Sequence, residues 1–174
     1  LDHDGVPDIL GGAVDDDNLG ESSGSVRLWS GATGGVIHTW IGGSIRELFG
    51  YSVDGGTDVD GDGTSDLVVG GAYFTSAPQG GVVRVFSGST FASLWSTSIA
   101  PARDGLGSSV AFVGDIDGDG RSEVLAGARQ PVLRFVEAAA GQRQPGMDVH
   151  RRTLQLARRL AGDARALGRP HGHR

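Results

Sequence analysis

Short apolar runs, separated by clusters of glycine, aspartate and serine, follow one another along most of the chain. Four of these runs lie between residues 49 and 98, at Phe49–Val53, Leu67–Val69, Val82–Phe86 and Ser93–Ser98. Leu67–Val69 is continuously apolar, which is typical of a strand that is buried on both faces. Short runs bounded by turn residues indicate strands rather than helices, so this stretch predicts four short β-strands.

The same features return with a period of 57 residues. Three pairs of segments have this spacing: Gly24–Arg27 with Gly81–Arg84, Phe49–Val53 with Leu106–Val110, and Asp58–Asp66 with Asp115–Glu123. Leu1–Asp8 is an earlier copy of the acidic segment, 58 residues before its partner. A repeated unit of four strands predicts a β-propeller of four-stranded blades, and a parallel β-helix is the alternative.

The repeat divides the chain into four predicted segments. These are a partial blade with an incomplete acidic loop over 1–48, a complete blade over 49–105, a partial blade over 106–136 and an atypical arginine-rich tail over 137–174. We therefore expect an all-β fold, a partial β-propeller, followed by a tail that lies outside the propeller. Two and a half blades cannot close a ring, so we expect the chain to be a fragment of a longer one.

The tail differs from the rest of the chain in charge and periodicity. Residues 1–140 contain 19 acidic residues and 7 arginines, whereas residues 141–174 contain 8 arginines and 2 aspartates. Apolar residues at helical spacing predict a short amphipathic helix before a disordered end, and a basic helix of this kind could contact an anionic membrane. Translation of a further repeat in a shifted reading frame is a third hypothesis, because GC-rich codons give arginine and alanine without lysine.

Composition excludes several classes of protein. The 31 glycines argue against a helical protein, since glycine costs about 1 kcal/mol per helical position relative to alanine. The absence of cysteine excludes a disulfide scaffold and a thiolate metal site. No apolar stretch is long enough to span a membrane, and the acidic body favours cations over nucleic acid as partners.

The two complete acidic segments have the composition of metal-binding loops. Both have acidic residues at loop positions 1, 3, 5 and 9 and a glycine at position 6: Asp58, Asp60, Asp62, Gly63 and Asp66 in one, and Asp115, Asp117, Asp119, Gly120 and Glu123 in the other. Aspartate-rich turns are often only solvated. However, carboxylates held 4 Å apart repel by roughly 4 kcal/mol per pair at a dielectric of 20, so a curled loop of this kind needs a cation. Ca²⁺ prefers such hard oxygen ligands.

These loops differ from EF-hands and dockerins. An EF-hand has a bidentate acidic residue at position 12 and flanking helices. Position 12 here is Val69 or Ala126, and a strand-like run follows position 9. We therefore predict a calcium loop between two strands.

The combination of loop, spacing and flanking residues resembles the FG-GAP repeats of integrin alpha subunits and bacterial surface proteins. Phe49-Gly50 matches the opening of that repeat and Leu106-Gly107 is a variant of it. The closing segment is matched after each loop, at Asp66–Gly71, Glu123–Ala128 and Asp8–Ala13, although none ends in proline. The resemblance covers residues 1 to about 136. It implies a seven-bladed propeller, extracellular or cell-surface location, and calcium bound within the blade.

The resemblance also implies specific ligands. The implied sets are Asp58, Asp60, Asp62, Thr64 and Asp66; Asp115, Asp117, Asp119, Arg121 and Glu123; and Asp2, Asp4, Val6 and Asp8, which lacks position 1. Position 7 would contribute a backbone carbonyl, so its side chain is free to vary.

We expect a non-enzymatic module for adhesion or for binding an extracellular protein or glycan. The alternatives are an accessory propeller of a secreted, phospholipase-like hydrolase and a purely structural calcium-repeat stalk. Gly20–Gly24 fits the pattern G-x-S-x-G, but an acidic loop precedes it and a strand-like run follows it, unlike a nucleophile elbow. No catalytic residue is therefore predicted.

Overall fold

The chain forms antiparallel β-sheets. A computed structural model describes residues 1–72, 80–98, 105–116, 118, 120–128 and, as backbone, 134–136, all within one compact unit, Leu1–Gln142. The strands are β1 Ile9–Ala13, β2 Ser25–Trp29, β3 Val36–Ile41, β4 Phe49–Thr57, β5 Asp66–Gly71, β6 Val82–Phe86, β7 Ser93–Ser98, β8 Ser109–Phe112, β9 Val124–Gly127 and β10 Arg134–Val136. No helix among the described residues is long and apolar enough to cross a membrane. The predicted tail, 137–174, lies outside the described residues.

The second sheet contains the four strands that the sequence predicts for one period. Its order is β4-β5-β6-β7, with every neighbouring pair antiparallel. All six residues of β5 are buried, as expected for a central strand covered on both faces. β4 extends to Thr57, four residues beyond the predicted run, so that it leads directly into the acidic loop at Asp58.

The first and third sheets repeat this arrangement with three described strands each, in the orders β1-β2-β3 and β10-β9-β8. One arginine marks the common register: Arg27 lies opposite Gly11, Arg84 opposite Val69, and Arg134 opposite Ala126. Sequence spacing alone places Arg134 about seven residues too early. In the structure Arg134 nevertheless has the same register as the other two arginines. Its earlier position in the sequence is explained by the connection between β9 and β10, which is shorter than that between β5 and β6.

Two apolar clusters join neighbouring sheets. The cluster between the first and second sheets contains Val26, Leu28, Trp40, Phe49, Leu67, Val69 and Phe86, and the cluster between the second and third contains Val59, Val68, Val83, Val85, Leu106, Val124 and Ala126. Alternate residues of β5 belong to different clusters, because successive side chains of a strand point to opposite faces. The indole nitrogen of Trp40 also donates to the carbonyl of Phe91 across the first junction at 3.0 Å. All-β sheets stacked face to face confirm the predicted fold class.

Neighbouring sheets approach each other backbone to backbone at several glycines, including Gly12 and Gly70. A Cβ added to Gly12 would overlap the carbonyl oxygen of Gly50, and one added to Gly70 would overlap that of Gly107. Both distances would be far below 3.0 Å, which real Cβ atoms essentially never approach. These glycines therefore allow the strand that opens each repeat to lie directly against the preceding sheet.

An ion pair also joins the first and second sheets. Glu47, in the connection between β3 and β4, is 1% exposed, and its Oε1 lies 2.7 Å from Nη2 of Arg84 on β6. Its Oε2 accepts the N–H of Gly43 at 2.7 Å. The guanidinium of Arg84 lies 4.9 Å from the ring centroid of Phe49. Burial raises the pKa of Glu47 above its ordinary 4.5, and the positive charge of Arg84 offsets only part of that shift.

Gly70→Ala is expected to destabilise the fold by at least about 3 kcal/mol, because the added methyl group collides with backbone rather than with a movable side chain. Gly55→Ala is the matched control, since its Cβ would be 3.4 Å from the nearest atom in the same sheet. The measurement is urea unfolding of both variants followed by circular dichroism. Equal stabilities of the two variants would contradict the close backbone approach.

The raised pKa of Glu47 predicts a pH-dependent stability. The folded state binds the Glu47 proton more tightly than the unfolded chain, so the free energy of unfolding decreases as pH rises from about 4.5 through the raised pKa. Glu47→Gln removes this titration. The stability of the native chain relative to Glu47→Gln should therefore fall as pH rises above about 4.5, as measured by denaturant titration at several pH values. A difference that rises with pH would mean that Arg84 dominates the shift.

Candidate metal centre

The acidic loop Asp58–Asp66 connects β4 to β5 at one end of the second sheet. It leaves β4 after Thr57, and its last residue is the first residue of the fully buried strand β5. Gly61 and Gly63 have φ values of 83° and 87°, so the chain turns twice through the left-handed region within the loop. This curl brings residues that are far apart in an extended chain to one side of the loop.

Three loop carboxylates converge. Asp58, Asp60 and Asp66 each have an oxygen atom such that all three atoms lie within 4.8 Å of one another. No other group of three metal-ligating side chains is this close in the part of the chain that the structure describes. At such a separation two negative charges repel by roughly 3 kcal/mol at a dielectric of 20, so the arrangement favours a bound cation.

Backbone hydrogen bonds hold the carboxylates in place. Asp58 accepts the N–H groups of Gly61 and Gly63 through its two oxygens at 2.7 and 2.8 Å. Asp60 accepts the N–H of Asp62 at 3.1 Å. Each carboxylate therefore closes a turn of the loop, which orients its remaining lone pairs without help from side chains elsewhere.

Asp62 and Thr64 have separate contacts. Asp62 accepts the N–H of Thr64 at 2.8 Å and the hydroxyl of Ser89, in the turn after β6. The hydrogen bond from the Ser89 hydroxyl has the larger effect in lowering the pKa of Asp62, and the hydrogen bond from the Thr64 N–H lowers it further. The hydroxyl of the buried Thr64 is 3.4 Å from Nε2 of His3, in the first acidic loop.

Asp66 links the loop to the opposite hairpin. Its Oδ2 accepts the N–H of Val59 at 2.7 Å, and its Oδ1 accepts the N–H of Gly88, after β6, at 2.9 Å. Asp66 is 1% exposed. Burial raises its pKa above the ordinary 3.8, with a further contribution from the charge of Asp60, and the two hydrogen bonds counter this only in part.

The first loop repeats this bridge with a different electrostatic result. Asp8 accepts the amino group of Leu1 at 2.7 Å and the N–H of Gly31, after β2, at 3.1 Å. Leu1 and Gly31 have the same positions relative to Asp8 as Val59 and Gly88 have relative to Asp66. The pKa of Asp8 is lowered, chiefly by its hydrogen bond with the charged amino group of Leu1.

Asp2 and Asp4 of the first loop accept backbone N–H groups as Asp60 and Asp62 of the second loop do. The N–H of Asp4 donates to Asp2 at 3.2 Å, and the N–H of Val6 donates to Asp4 at 2.7 Å. His3 has a φ of 61° at the place where the second loop has Gly61. Asp2, Asp4 and Val6 are all exposed.

The third loop shows the same bonds at its two ends. Asp115 accepts the N–H groups of Gly118 and Gly120 at 2.6 and 2.8 Å. Asp58 likewise accepts the N–H groups of the residues three and five positions after it. Glu123 accepts the N–H of Ile116 at 2.5 Å, so the longer side chain still reaches the start of the loop. Arg121 is half-buried. The remaining predicted ligands, Asp117 and Asp119, lie outside the described residues.

The turn after β6 is the part of the site that the acidic pattern does not reveal. It supplies the N–H of Gly88 to Asp66 and the hydroxyl of Ser89 to Asp62. A signal was present in the sequence, because Ser30-Gly31 recurs as Ser87-Gly88 at the 57-residue period. The contact between His3 and Thr64 has no such signal, since the other two loops have glycine at the position of His3.

Asp66→Ala is expected to destabilise the calcium-free protein by about 2–5 kcal/mol, because two N–H groups, of Val59 and Gly88, lose their acceptor in a buried environment. Asp60→Ala is the control: it removes the same charge from an exposed side chain and should cost no more than about 0.5 kcal/mol. Urea unfolding in the presence of a chelator measures both. Equal losses would show that Asp66 does not bridge loop and hairpin.

Known proteins similar to this chain share its repeat. Residues 58–126 match the FG-GAP-like repeat family. The chain is 32% identical over 114 residues to integrin alpha-3 of Cricetulus griseus, covering 60% of this chain and 11% of that protein. It is 35% identical over 117 residues to integrin alpha-PS2 of Drosophila melanogaster, covering 59% and 8% respectively. The chain thus spans about a tenth of the length of these relatives. The loops, their period and these matches together show that residues 58–126 are similar to FG-GAP-like repeats and that the chain is similar to part of the integrin alpha subunits.

Proposed function

We propose that this chain is a calcium-binding propeller module that binds a protein or glycan partner outside the cell and has no enzymatic activity of its own. The observation that supports calcium binding is the convergence of Asp58, Asp60 and Asp66 within 4.8 Å. All three side chains also accept backbone N–H groups of the loop. The site is thus formed by the fold of the loop itself.

The chemistry of the donors fits Ca²⁺. Carboxylate and carbonyl oxygens are the ligands that this ion prefers, and it accepts six to eight of them in a flexible geometry. In the second loop Asp58, Asp60, Asp62 and Asp66 would supply side-chain oxygens, and Thr64 would supply its carbonyl. The ion would contribute a positive charge beside Asp66, whose pKa is raised by burial and by the charge of Asp60.

The equivalent hydrogen bonds extend the proposal to the other loops. Asp115, Arg121 through its carbonyl, and Glu123 would bind a second ion together with Asp117 and Asp119. In the first loop Asp2, Asp4, Val6 through its carbonyl, and Asp8 would be the corresponding ligands.

A stabilising role for the ion follows from the position of the loops. Each loop leads into the strand that follows it, β1, β5 or β9, and its last acidic residue is bonded to the start of the loop. An ion bound there would fix the loop to the buried part of the sheet. The faces and rims of the sheets would then remain for a binding partner, as the similarity to integrin alpha subunits supports.

The geometry around Ser22 supports a non-catalytic module. This serine is the central residue of the G-x-S-x-G pattern, in the connection between β1 and β2. Its N–H donates to Asp17 Oδ1 at 2.7 Å, and β2 begins three residues later. A nucleophile elbow instead requires a strand before the serine and a helix after it.

The test is isothermal titration of the chain with CaCl₂, combined with thermal unfolding. Saturable binding should raise the free energy of unfolding by about 2.7 kcal/mol when free calcium is a hundred times Kd. Asp60→Ala should abolish one site and Asp117→Ala another. MgCl₂ should bind more weakly, because Mg²⁺ requires a stricter octahedral geometry.

Asp15→Ala is the matched control, since it removes one exposed acidic residue from a loop outside the three proposed sites. It should leave binding unchanged. Binding that responds to Asp15→Ala as strongly as to Asp60→Ala, or that shows no saturation, would mean that calcium only screens the acidic surface and would overturn the proposal.

A further inference from the structure

The turn between β6 and β7 of the second sheet has a counterpart between β2 and β3 of the first. Both turns are closed by the same backbone hydrogen bond: the N–H of Phe91 donates to the carbonyl of Ser87 at 2.9 Å, and the N–H of Gly34 donates to the carbonyl of Ser30 at 2.8 Å. Phe91 follows Gly34 by the 57-residue period. The two turns therefore share a backbone arrangement but differ in the side chain at this position.

Phe91 has a backbone conformation that favours glycine. Its φ is 60°, and the φ of Gly34 is 70°. The left-handed region is unfavourable for a residue with a Cβ atom, because that atom then approaches the following carbonyl oxygen. Such a residue persists only where its surroundings hold it in place. The contacts of Phe91 with the rest of the protein must therefore compensate for this strain.

These contacts come from β3 of the first sheet. The ring of Phe91 is stacked on the imidazole of His38, with ring centroids 4.6 Å apart and an angle of 18° between the planes. It meets the indole of Trp40 edge to face, with centroids 5.8 Å apart. The indole nitrogen of Trp40 also donates to the carbonyl oxygen of Phe91 at 3.0 Å. The first sheet thus holds both the side chain and the backbone of this residue.

The other end of the same turn contacts the acidic loop of the second sheet. The N–H of Gly88 donates to Asp66 at 2.9 Å, and the hydroxyl of Ser89 donates to Asp62. The turn of the first sheet has Ala32 in the place of Ser89, so it lacks this hydroxyl. The second turn therefore contacts two of the proposed calcium ligands at one end and the neighbouring sheet at the other.

The turn is short enough to connect these two ends rigidly. Phe91 is two residues from Ser89 and three from Gly88. The N–H of Ser87 donates to the carbonyl of Ala92 at 2.9 Å, which closes the turn around both donors. A change in the position of Phe91 is consequently transmitted to the groups that contact the acidic loop.

We propose that Phe91, held by His38 and Trp40, is a positioning residue for calcium binding in the second acidic loop. With its ring fixed against the first sheet, the turn keeps its two donor groups where they orient two carboxylates of the loop. This inference rests on the proposed function, because it requires that the loop binds calcium. It extends that function to a residue outside the loop and couples the site to the packing of two sheets.

Phe91→Gly tests the proposal, because the turn of the first sheet shows that glycine is compatible with this backbone conformation. We expect the calcium site that Asp60→Ala abolishes to bind about tenfold more weakly, as is typical when a group that orients metal ligands from outside the coordination sphere is removed. The site that Asp117→Ala abolishes should keep its affinity. Titration calorimetry of the whole chain measures both sites.

A second measurement needs no calcium. In the presence of a chelator, the N–H of Gly88 should exchange its hydrogen at least about threefold faster in Phe91→Gly, relative to the N–H groups of the central strand β5, because its hydrogen bond to Asp66 is weakened. Trp40→Phe removes the indole donor to Phe91 but keeps an aromatic ring, and should act in the same direction by a smaller factor. Equal loss of protection at Gly88 and in β5 would mean a purely structural role and would overturn the proposal.

Ala92→Gly is the matched control, since it also introduces a glycine at an exposed position of the turn but keeps the ring of Phe91. It should equal the native chain in calcium affinity and in the exchange of Gly88. If Phe91→Gly behaves like Ala92→Gly in both measurements while the native chain binds calcium, the positioning role is overturned and the proposed function stands. Absence of saturable calcium binding by the native chain would overturn both.

Discussion

Neighbouring sheets of this protein are separated by glycine backbone rather than by side chains at the point where each repeat opens. Gly12 and Gly70 leave room for the carbonyl groups of Gly50 and Gly107, and no other residue would do so. This contact fixes how far one sheet is displaced along the next. The alternating faces of β5 meet two different clusters.

The geometry of the acidic loop Asp58–Asp66 depends on the packing of β5 between two sheets. Because β5 is buried on both faces, its first residue, Asp66, is held rigidly, and both of its oxygens accept backbone N–H groups. Burial of a carboxylate beside Asp60 is unfavourable by itself, which the raised pKa of Asp66 expresses. The fold thus holds carboxylates close together at an electrostatic cost, as expected of a site that a bound cation would stabilise.

Much of this organisation was predictable from sequence, for reasons that particular residues make clear. The 57-residue period fixed the loops and the four strands of the second sheet, because strands bounded by glycine and aspartate leave a clear pattern at positions such as Leu67–Val69. The register of Arg134 was not predictable, since the connection before it is shortened and only strand pairing restores it. The contact of Glu47 with Arg84 joins residues 37 positions apart, which no local pattern specifies. For the contact of Gly88 with Asp66, 22 positions apart, the only sign was the recurrence of Ser-Gly at the 57-residue period.

The buried ion pair of Glu47 and Arg84 makes the alignment of the first and second sheets specific. Apolar clusters stabilise stacked sheets but tolerate many alignments, since dispersion and hydrophobic burial have little directionality. A charge that is 1% exposed accepts only the alignment in which its partner is present, because any other leaves it unpaired at a cost of several kcal/mol. Glycine contacts exclude a shifted neighbour by overlap, and the ion pair excludes a neighbour that lacks the carboxylate. The two constraints together allow a sheet to distinguish the correct next repeat from any other apolar surface.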